Sequence, residues 1–169
     1  MKTLLVLVAA GGVASAEPKI PPEVTDLLKV VSGTWKCSGT VVHGGEPQPQ
    51  PMTATLKTRG DLDGFWVHDT FEAKVGKAKL KYESFTTYDS RKWRRLLVDN
   101  RGTQVIGTSD GLKDFKMDFN LDAMAGAGPA IQFRDHLDAT EPRALKLAGE
   151  LSSDKGKTWS KVYEMTCKK

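Results

Sequence analysis

The chain has 169 residues, of which 39% are hydrophobic and 27% charged, and this composition favours one globular domain over a large multidomain protein. Its 25 Lys and Arg against 21 Asp and Glu give a formal charge of +4, too small a surplus for a dedicated nucleic-acid-binding protein. Two cysteines exclude a disulfide-dense miniprotein and a zinc site made of four cysteines.

The first 16 residues have the pattern of a secretory signal peptide. Lys2 precedes an apolar run from Leu4 to Ala10, and Ala14-Ser15-Ala16 matches the small-x-small rule for cleavage. The apolar run is far shorter than the roughly 20 residues that span a bilayer. We therefore expect cleavage near Ala16, and a secreted or periplasmic mature chain, residues 17–169, without a transmembrane segment.

Removal of this segment changes how the charge and the cysteines are interpreted. Loss of Lys2 leaves 24 basic against 21 acidic residues, a net charge of +3. An oxidising compartment lets a cysteine pair persist as a disulfide, whereas a cytosolic pair usually stays reduced. Cys37 and Cys167 are then either bonded to each other or two unrelated buried thiols.

The mature chain begins with a Pro-rich lead-in over residues 17–22 and a short amphipathic helix within residues 22–32. Gly33 ends this helix. Four apolar side chains share one side of it: Val24, Leu27, Leu28 and Val31.

After the helix the apolar period changes to two, in short runs rich in Val, Thr, Tyr, Phe and Trp. Turn sequences such as Asp99-Asn100-Arg101-Gly102 and Ser109-Asp110-Gly111 separate these runs. The ten predicted strands cover residues 34–43, 52–58, 65–73, 78–88, 92–98, 103–108, 112–121, 130–137, 144–151 and 158–167.

Regular short connections between these strands predict an antiparallel up-and-down meander, which removes its open edges by closing into a barrel. The predicted fold is therefore all-β, a ten-stranded antiparallel barrel with a short N-terminal helix. Closure makes the first and last strands neighbours and puts Cys37 and Cys167 at the same rim. We therefore predict a disulfide between Cys37 and Cys167 across the barrel seam, which needs Cα atoms within about 7 Å.

The opening Gly33-Thr34-Trp35-Lys36-Cys37-Ser38-Gly39-Thr40 resembles the G-x-W signature of calycins, the superfamily of lipocalins and fatty-acid-binding proteins. Together with the ending Asp154-Lys155-Gly156-Lys157-Thr158-Trp159, it resembles an exported bacterial lipocalin-like family of unknown function. The resemblance covers residues 27–168 and implies a calycin-like barrel, with no catalytic residues to carry over. Lys155 departs from the pattern, because it separates the Asp and Gly that the family usually joins.

Alternation of side chains along the strands nominates residues that face the barrel interior. Most are apolar and a few are polar, which suits a pocket for a small molecule as well as an ordinary core. The candidate lining residues are Trp35, Asp69, Phe71, Tyr82, Arg95, Phe115, Met117, Phe133, Trp159 and Tyr163.

Asp69 is the most informative of these candidates, because a buried carboxylate needs a partner such as Arg95. Arg95 points inward if Trp93 does. The register of strand three stays open, since a shift by one residue would place Trp66, His68 and Glu72 inside.

The three histidines, His43, His68 and His136, match no compact metal-ligand spacing. The opening also resembles that of the haem-binding barrels of the nitrobindin group, in which a histidine near the C-terminal end ligates iron. No histidine follows His136 here, so only His68 or His136 would remain as ligands. We predict no cofactor and no metal, and keep a haem barrel as an alternative.

Two short motifs suggest other chemistry. Gly107-Thr108-Ser109-Asp110-Gly111 fits G-x-S-x-G, but it joins two predicted strands, whereas a nucleophile elbow joins a strand to a helix. Asp61-Leu62-Asp63-Gly64 begins like a calcium loop and lacks the remaining ligands. Both are interpreted as turns, so we name no catalytic residue.

Basic residues cluster in two places, Lys74, Lys77, Lys79 and Lys81 around one hairpin, and Arg91, Lys92, Arg94 and Arg95 around Trp93. The leading hypothesis is a monomeric protein that binds or carries a small apolar or amphipathic molecule in the barrel, with no specific nucleic-acid partner. The alternative is an interaction protein that uses the basic patch on an anionic envelope surface.

Overall fold

The computed structural model describes residues 17–42, 48–89, 91–123 and 131–169. The predicted signal peptide and His43 lie outside these residues. The elements are α1 (Pro22–Val31), β1 (Gly33–Val41), β2 (Gln50–Asp61), a short 3-10 turn (Leu62–Gly64), β3 (Trp66–Val75), β4 (Ala78–Tyr88), β5 (Trp93–Asp99), β6 (Gln104–Ser109), β7 (Lys116–Ala123), β8 (Gln132–Asp138), β9 (Ala144–Ser152) and β10 (Ser160–Lys168).

The ten strands form a closed antiparallel barrel in which each strand pairs with its neighbours in sequence and β1 pairs with β10. This confirms the predicted fold class. Closure leaves none of the ten strands with an unpaired edge. The described residues contain no helix that is long and apolar enough to cross a bilayer.

A disulfide joins the first strand to the last. Cys37 and Cys167 are directly opposite each other in the β1–β10 register, with their Cα atoms 3.9 Å apart. The predicted bond is therefore confirmed. Both cysteines are buried in the core rather than at an exposed rim, because Cys37 alternates inward with Trp35.

The predicted helix is confirmed, and it packs against β2, β3 and β4. Pro22 occupies its first turn, where a missing N–H removes no helical hydrogen bond. Val24, Leu27 and Val31 are buried. The Trp35 indole donates a hydrogen bond of 2.8 Å to the carbonyl of Val31, which ties the end of the helix to β1.

The interior contains two apolar clusters. One is built on β1, β2, β3, β9 and β10 and includes the disulfide, Trp35 and Phe71. The other joins α1 to β5, β6 and β7 and includes Trp93, Met117 and Phe119. Polar side chains on β2–β5, β8 and β10 form the site described below.

The structure differs from the prediction at the start of β7. Residues 112–121 were expected as a strand, but β7 begins at Lys116. Asp114 and Phe115 both have positive φ angles, which belong to a turn rather than to an extended strand. The alternation of inward and outward side chains therefore starts after Phe115.

Candidate functional site

The polar interior begins with a row of three side chains across β2, β3 and β4. Thr58, Asp69 and Ser84 are cross-strand neighbours in the register. Thr58 Oγ1 donates to Asp69 Oδ1 at 2.6 Å, and Ser84 Oγ donates to Oδ2 at 2.8 Å. Both carboxylate oxygens are thus satisfied by hydroxyl groups, which permits burial of this group without a cationic partner.

A second polar group surrounds Arg95 on β5. Its Nε donates to Thr86 Oγ1 at 3.0 Å, and its guanidinium carbon lies 3.7 Å from the centre of the Phe119 ring. Arg95 Nη1 is 3.6 Å from Asp135 Oδ2, and the hydroxyl of Tyr163 donates to Asp135 Oδ1 at 3.0 Å. Arg95 therefore faces inward as expected, but its carboxylate partner is Asp135 and not Asp69.

Gly149 makes the contact between Tyr163 and Asp135 possible. In the register it lies between them, with Tyr163 on β10 on one side and Asp135 on β8 on the other. A Cβ at this position would lie 2.0 Å from Tyr163 Cε1. The phenol ring therefore passes over β9 through space that only glycine leaves free.

Burial shifts the titration of this group. Burial raises the pKa of Asp135, and the nearby Arg95 charge opposes this rise. Burial also raises the pKa of the Tyr163 and Tyr82 hydroxyls, with Asp135 adding to the shift for Tyr163 and Asp69 for Tyr82. Both phenols stay protonated donors at every physiological pH, and Asp135 is biased towards its neutral form.

Tyr82 stacks on Phe71, with ring centroids 4.6 Å apart. Its hydroxyl has no hydrogen-bond partner among the described residues. Every fully enclosed side-chain polar atom in those residues does have a partner, so this hydroxyl is not fully enclosed. The hydroxyl therefore has access to open space. That space is a cavity of about 70 Å³, and the polar residues that border it are Thr58, Asp69, Tyr82, Ser84, Thr86, Arg95, Asp135, His136 and Tyr163.

Four of the other sequence-predicted lining residues are partly or fully buried. Trp35 and Phe71 are each 2% exposed, Met117 is 1% exposed and lines the cavity, and Phe133 packs partly buried against the second cluster. On β3, Val67 and Phe71 are buried inward with Asp69. The register that would have placed Trp66, His68 and Glu72 inside is therefore wrong.

Phe115 and Trp159 are not where alternation placed them. Phe115 is 56% exposed, because it lies in the turn before β7. Trp159 precedes β10 and stacks under the Arg134 guanidinium at 3.8 Å. A β-bulge between Lys161 and Tyr163 inserts one residue and reverses the alternation of inward and outward side chains. Tyr163 faces inward, but Trp159, four residues earlier, therefore faces outward.

The two described histidines project from the outer side of the barrel wall. His68 stacks on Phe85 with centroids 4.4 Å apart and contacts Asp61 and Glu83 through its two nitrogens. His136 contacts Asp118 at 2.7 Å and Glu150 at 3.6 Å. Their neighbours Val67 and Leu137 face inward, so neither imidazole enters the interior as a haem ligand would.

The sequence places this barrel in a known family. A family model described as "Protein of unknown function (DUF1579)" matches residues 21–169. The chain belongs to this family. Among curated proteins, none matches the chain significantly.

The DUF1579 barrel is also similar to a solved structure. The crystal structure of Rv2717c from M. tuberculosis aligns with a TM-score of 0.66, covering 89% of this chain and 99% of that chain. The two sequences are 10% identical. At this identity the likeness shows a shared fold and carries nothing about ligands.

Asp135 is the member of the site that sequence reasoning missed. Alternation along β8 that includes the predicted lining residue Phe133 continues to Asp135 and Leu137. The signal was a charged residue at an inward position of a predicted strand. Thr58, Thr86 and Gly149 carry no separate signal in the sequence.

Proposed function

We propose that this chain is an exported member of the DUF1579 family that binds a small, oxygen-bearing polar molecule, such as a short carboxylate, inside the barrel. The observation that supports this most directly is the Tyr82 hydroxyl, which faces the cavity without an intramolecular partner among the described residues. A buried donor in that state is stabilised by a water or a ligand. We also propose that the chain is related to lipocalin-like carriers.

The size of the cavity limits the ligand. A volume of about 70 Å³ is far below the range of roughly 300–1,000 Å³ typical of drug-sized ligands. It accommodates about two water molecules or a ligand of a few non-hydrogen atoms. A fatty acid, the expected apolar or amphipathic ligand, and the larger haem group would both require the barrel to expand.

The chemistry of the wall favours a ligand that accepts hydrogen bonds. Arg95 and Tyr82 supply donors, and both are held in place, Arg95 by Thr86 and Phe119, and Tyr82 by Phe71. Asp69 already has both oxygens bonded. Among the described residues Arg95 donates a hydrogen bond only through Nε, to Thr86, and its Nη1 lies 3.6 Å from Asp135 Oδ2, so its guanidinium has donors left for a carboxylate.

Export rests on the signal-peptide pattern of residues 1–16 and on the disulfide, which an oxidising compartment preserves. N-terminal sequencing of the protein recovered from outside the cytoplasm tests this part, with Glu17 as the expected first residue.

Ligand binding is tested by titrating acetate, glycolate, acetamide and dodecanoate into the protein, followed by calorimetry and by amide chemical shifts of the interior strands. We expect acetate or glycolate to bind more tightly than acetamide, since only they carry the charge that complements Arg95. Native mass spectrometry of the exported protein adds a search for a co-purified small ligand.

The decisive variant is Tyr82→Phe, because this hydroxyl has no structural hydrogen bond to lose among the described residues. Its loss should weaken carboxylate binding about tenfold and leave stability unchanged. Tyr88→Phe is the matched control, since Tyr88 packs against Trp93 and does not line the cavity. Equal binding by both variants, or preferred binding of dodecanoate, would show that the proposal is wrong.

A further inference from the structure

The outer face of β1–β4 carries a groove of about 560 Å³ that is separate from the interior cavity. We call it the lysine groove, and define it by the outward side chains that line it: Lys36, Thr53, Thr55, Lys74, Lys79 and Lys81, with Glu72 among them. Two register rows build it, because Lys36, Thr55, Glu72 and Lys81 are successive cross-strand neighbours, as are Thr53, Lys74 and Lys79.

The groove holds more positive charge than its own carboxylate balances. Lys81 pairs with Glu72 at 3.1 Å, and Lys36 donates to the Thr55 hydroxyl at 3.1 Å. Lys74 and Lys79 are directly opposite each other, and neither forms an ion pair within the part of the chain that the structure describes. Like charges in directly opposed positions destabilise a sheet, and a bound anion would offset that repulsion.

The second basic cluster of the sequence does not form such a surface. Arg94 pairs with Asp89, Lys92 lies 3.5 Å from Asp110, and Arg95 points into the barrel. Lys74, Lys79 and Lys81 of the β3–β4 hairpin, joined by Lys36 from β1, therefore form a shared basic surface that the second cluster does not match.

We propose that the lysine groove binds a linear anionic polysaccharide. The lysine ammonium groups would contact its carboxylates or other anionic substituents, and the hydroxyls of Thr53 and Thr55 would bond to sugar hydroxyls. This inference does not depend on the ligand of the interior cavity.

The composition of the groove favours this partner over other polyanions. None of the residues that line it is aromatic, so it lacks the stacking surfaces on which proteins hold single-stranded nucleic acid. No large exposed apolar side chain lines it, whereas peripheral membrane proteins insert such groups at the bilayer surface.

The test measures binding of the full exported protein to polygalacturonate, with neutral dextran, duplex DNA and anionic lipid vesicles as competing probes. We expect binding to polygalacturonate that weakens as salt rises, and no binding to dextran. The variant Lys74→Gln/Lys79→Gln should weaken that binding about three- to tenfold.

Lys19→Gln/Lys113→Gln is the matched control, because it removes the same charge from exposed positions near α1 and before β7, away from the groove. Thermal unfolding should show that both variants are folded and that Lys74→Gln/Lys79→Gln is no less stable than the unmodified protein, because it removes the repulsion between the two opposed lysines. The proposal is overturned by an equal loss of affinity in both variants, by no binding to polygalacturonate, or by tighter groove-dependent binding to DNA or vesicles. Binding of acetate or glycolate in the cavity should be the same in all three proteins.

Discussion

The hydroxyl of Tyr163 on β10 donates a hydrogen bond of 3.0 Å to Asp135 on β8, passing over the strand between them. The contact joins two strands that share no backbone pairing. It also holds Asp135 beside Arg95 at the cavity wall. The arrangement depends on the absence of a side chain at Gly149.

The first prediction is that Gly149→Ala destabilises the protein by about 2–3 kcal/mol, measured by urea unfolding. The new methyl group would collide with the Tyr163 ring and break its bond to Asp135. Gly60→Ala is the control, because its Cβ would meet only the end of the Leu28 side chain, at 3.2 Å. If both substitutions lower the free energy of unfolding by similar amounts, the contact of Tyr163 across β9 contributes little to stability.

The second prediction concerns the bond between Cys37 and Cys167, which closes a loop with a sequence separation of 130. Cys37→Ala/Cys167→Ala should lower the free energy of unfolding by about 4–5 kcal/mol, chiefly because the unfolded chain gains freedom. A reducing agent should destabilise the unmodified protein and leave the double variant unaffected. A loss below about 1 kcal/mol would contradict this interpretation.

The third prediction is a pH dependence that belongs to Asp135. Its pKa is raised in the folded state, so the stability it contributes is complete below its unfolded pKa and is lost as pH rises through the folded value. Asp135→Asn keeps an oxygen for Tyr163 and removes the titration. We expect the unmodified protein to lose stability relative to this variant as pH rises above about 4.

Other carboxylates act in the opposite direction and at lower pH. Hydrogen bonds lower the pKa of Asp61, Asp138 and Asp154 to about 2, led by those from Arg59, Thr140 and Thr158 respectively. Their contribution is present above an unfolded pKa near 4 and is lost as pH falls towards 2. If the free energies of unfolding of the unmodified protein and Asp135→Asn, plotted against pH, stay parallel above about pH 4, the assignment to Asp135 is wrong.

Local patterns in the sequence were sufficient for the elements and for the closure of the barrel. The apolar stripe from Val24 to Val31 and the following Gly33 predict the helix with its observed limits. Ten short runs with tight turns predict the meander, and the positions of Cys37 and Cys167 predict the pairing of β1 with β10. These features depend on period and turn chemistry, which are local properties.

Partners across the interior could not be predicted in the same way. The pairing of Arg95 with Asp135 depends on the barrel's curvature, which brings β5 near β8. Trp159 was misplaced because a bulge at Val162 leaves no mark in the hydrophobic pattern. The volume of the cavity depends on how side chains fill the space, so alternation alone could not distinguish a carrier of fatty acids from a nearly filled barrel.

The covalent link across the β1–β10 seam also restricts how two copies of this chain can associate. A barrel that closes by pairing its first and last strands can in principle exchange a terminal strand with a second molecule. With Cys37 and Cys167 joined, β1 is held beside its own β10, and such domain swapping requires the bond to open first. Formation of the disulfide therefore commits each barrel to pairing its own first and last strands.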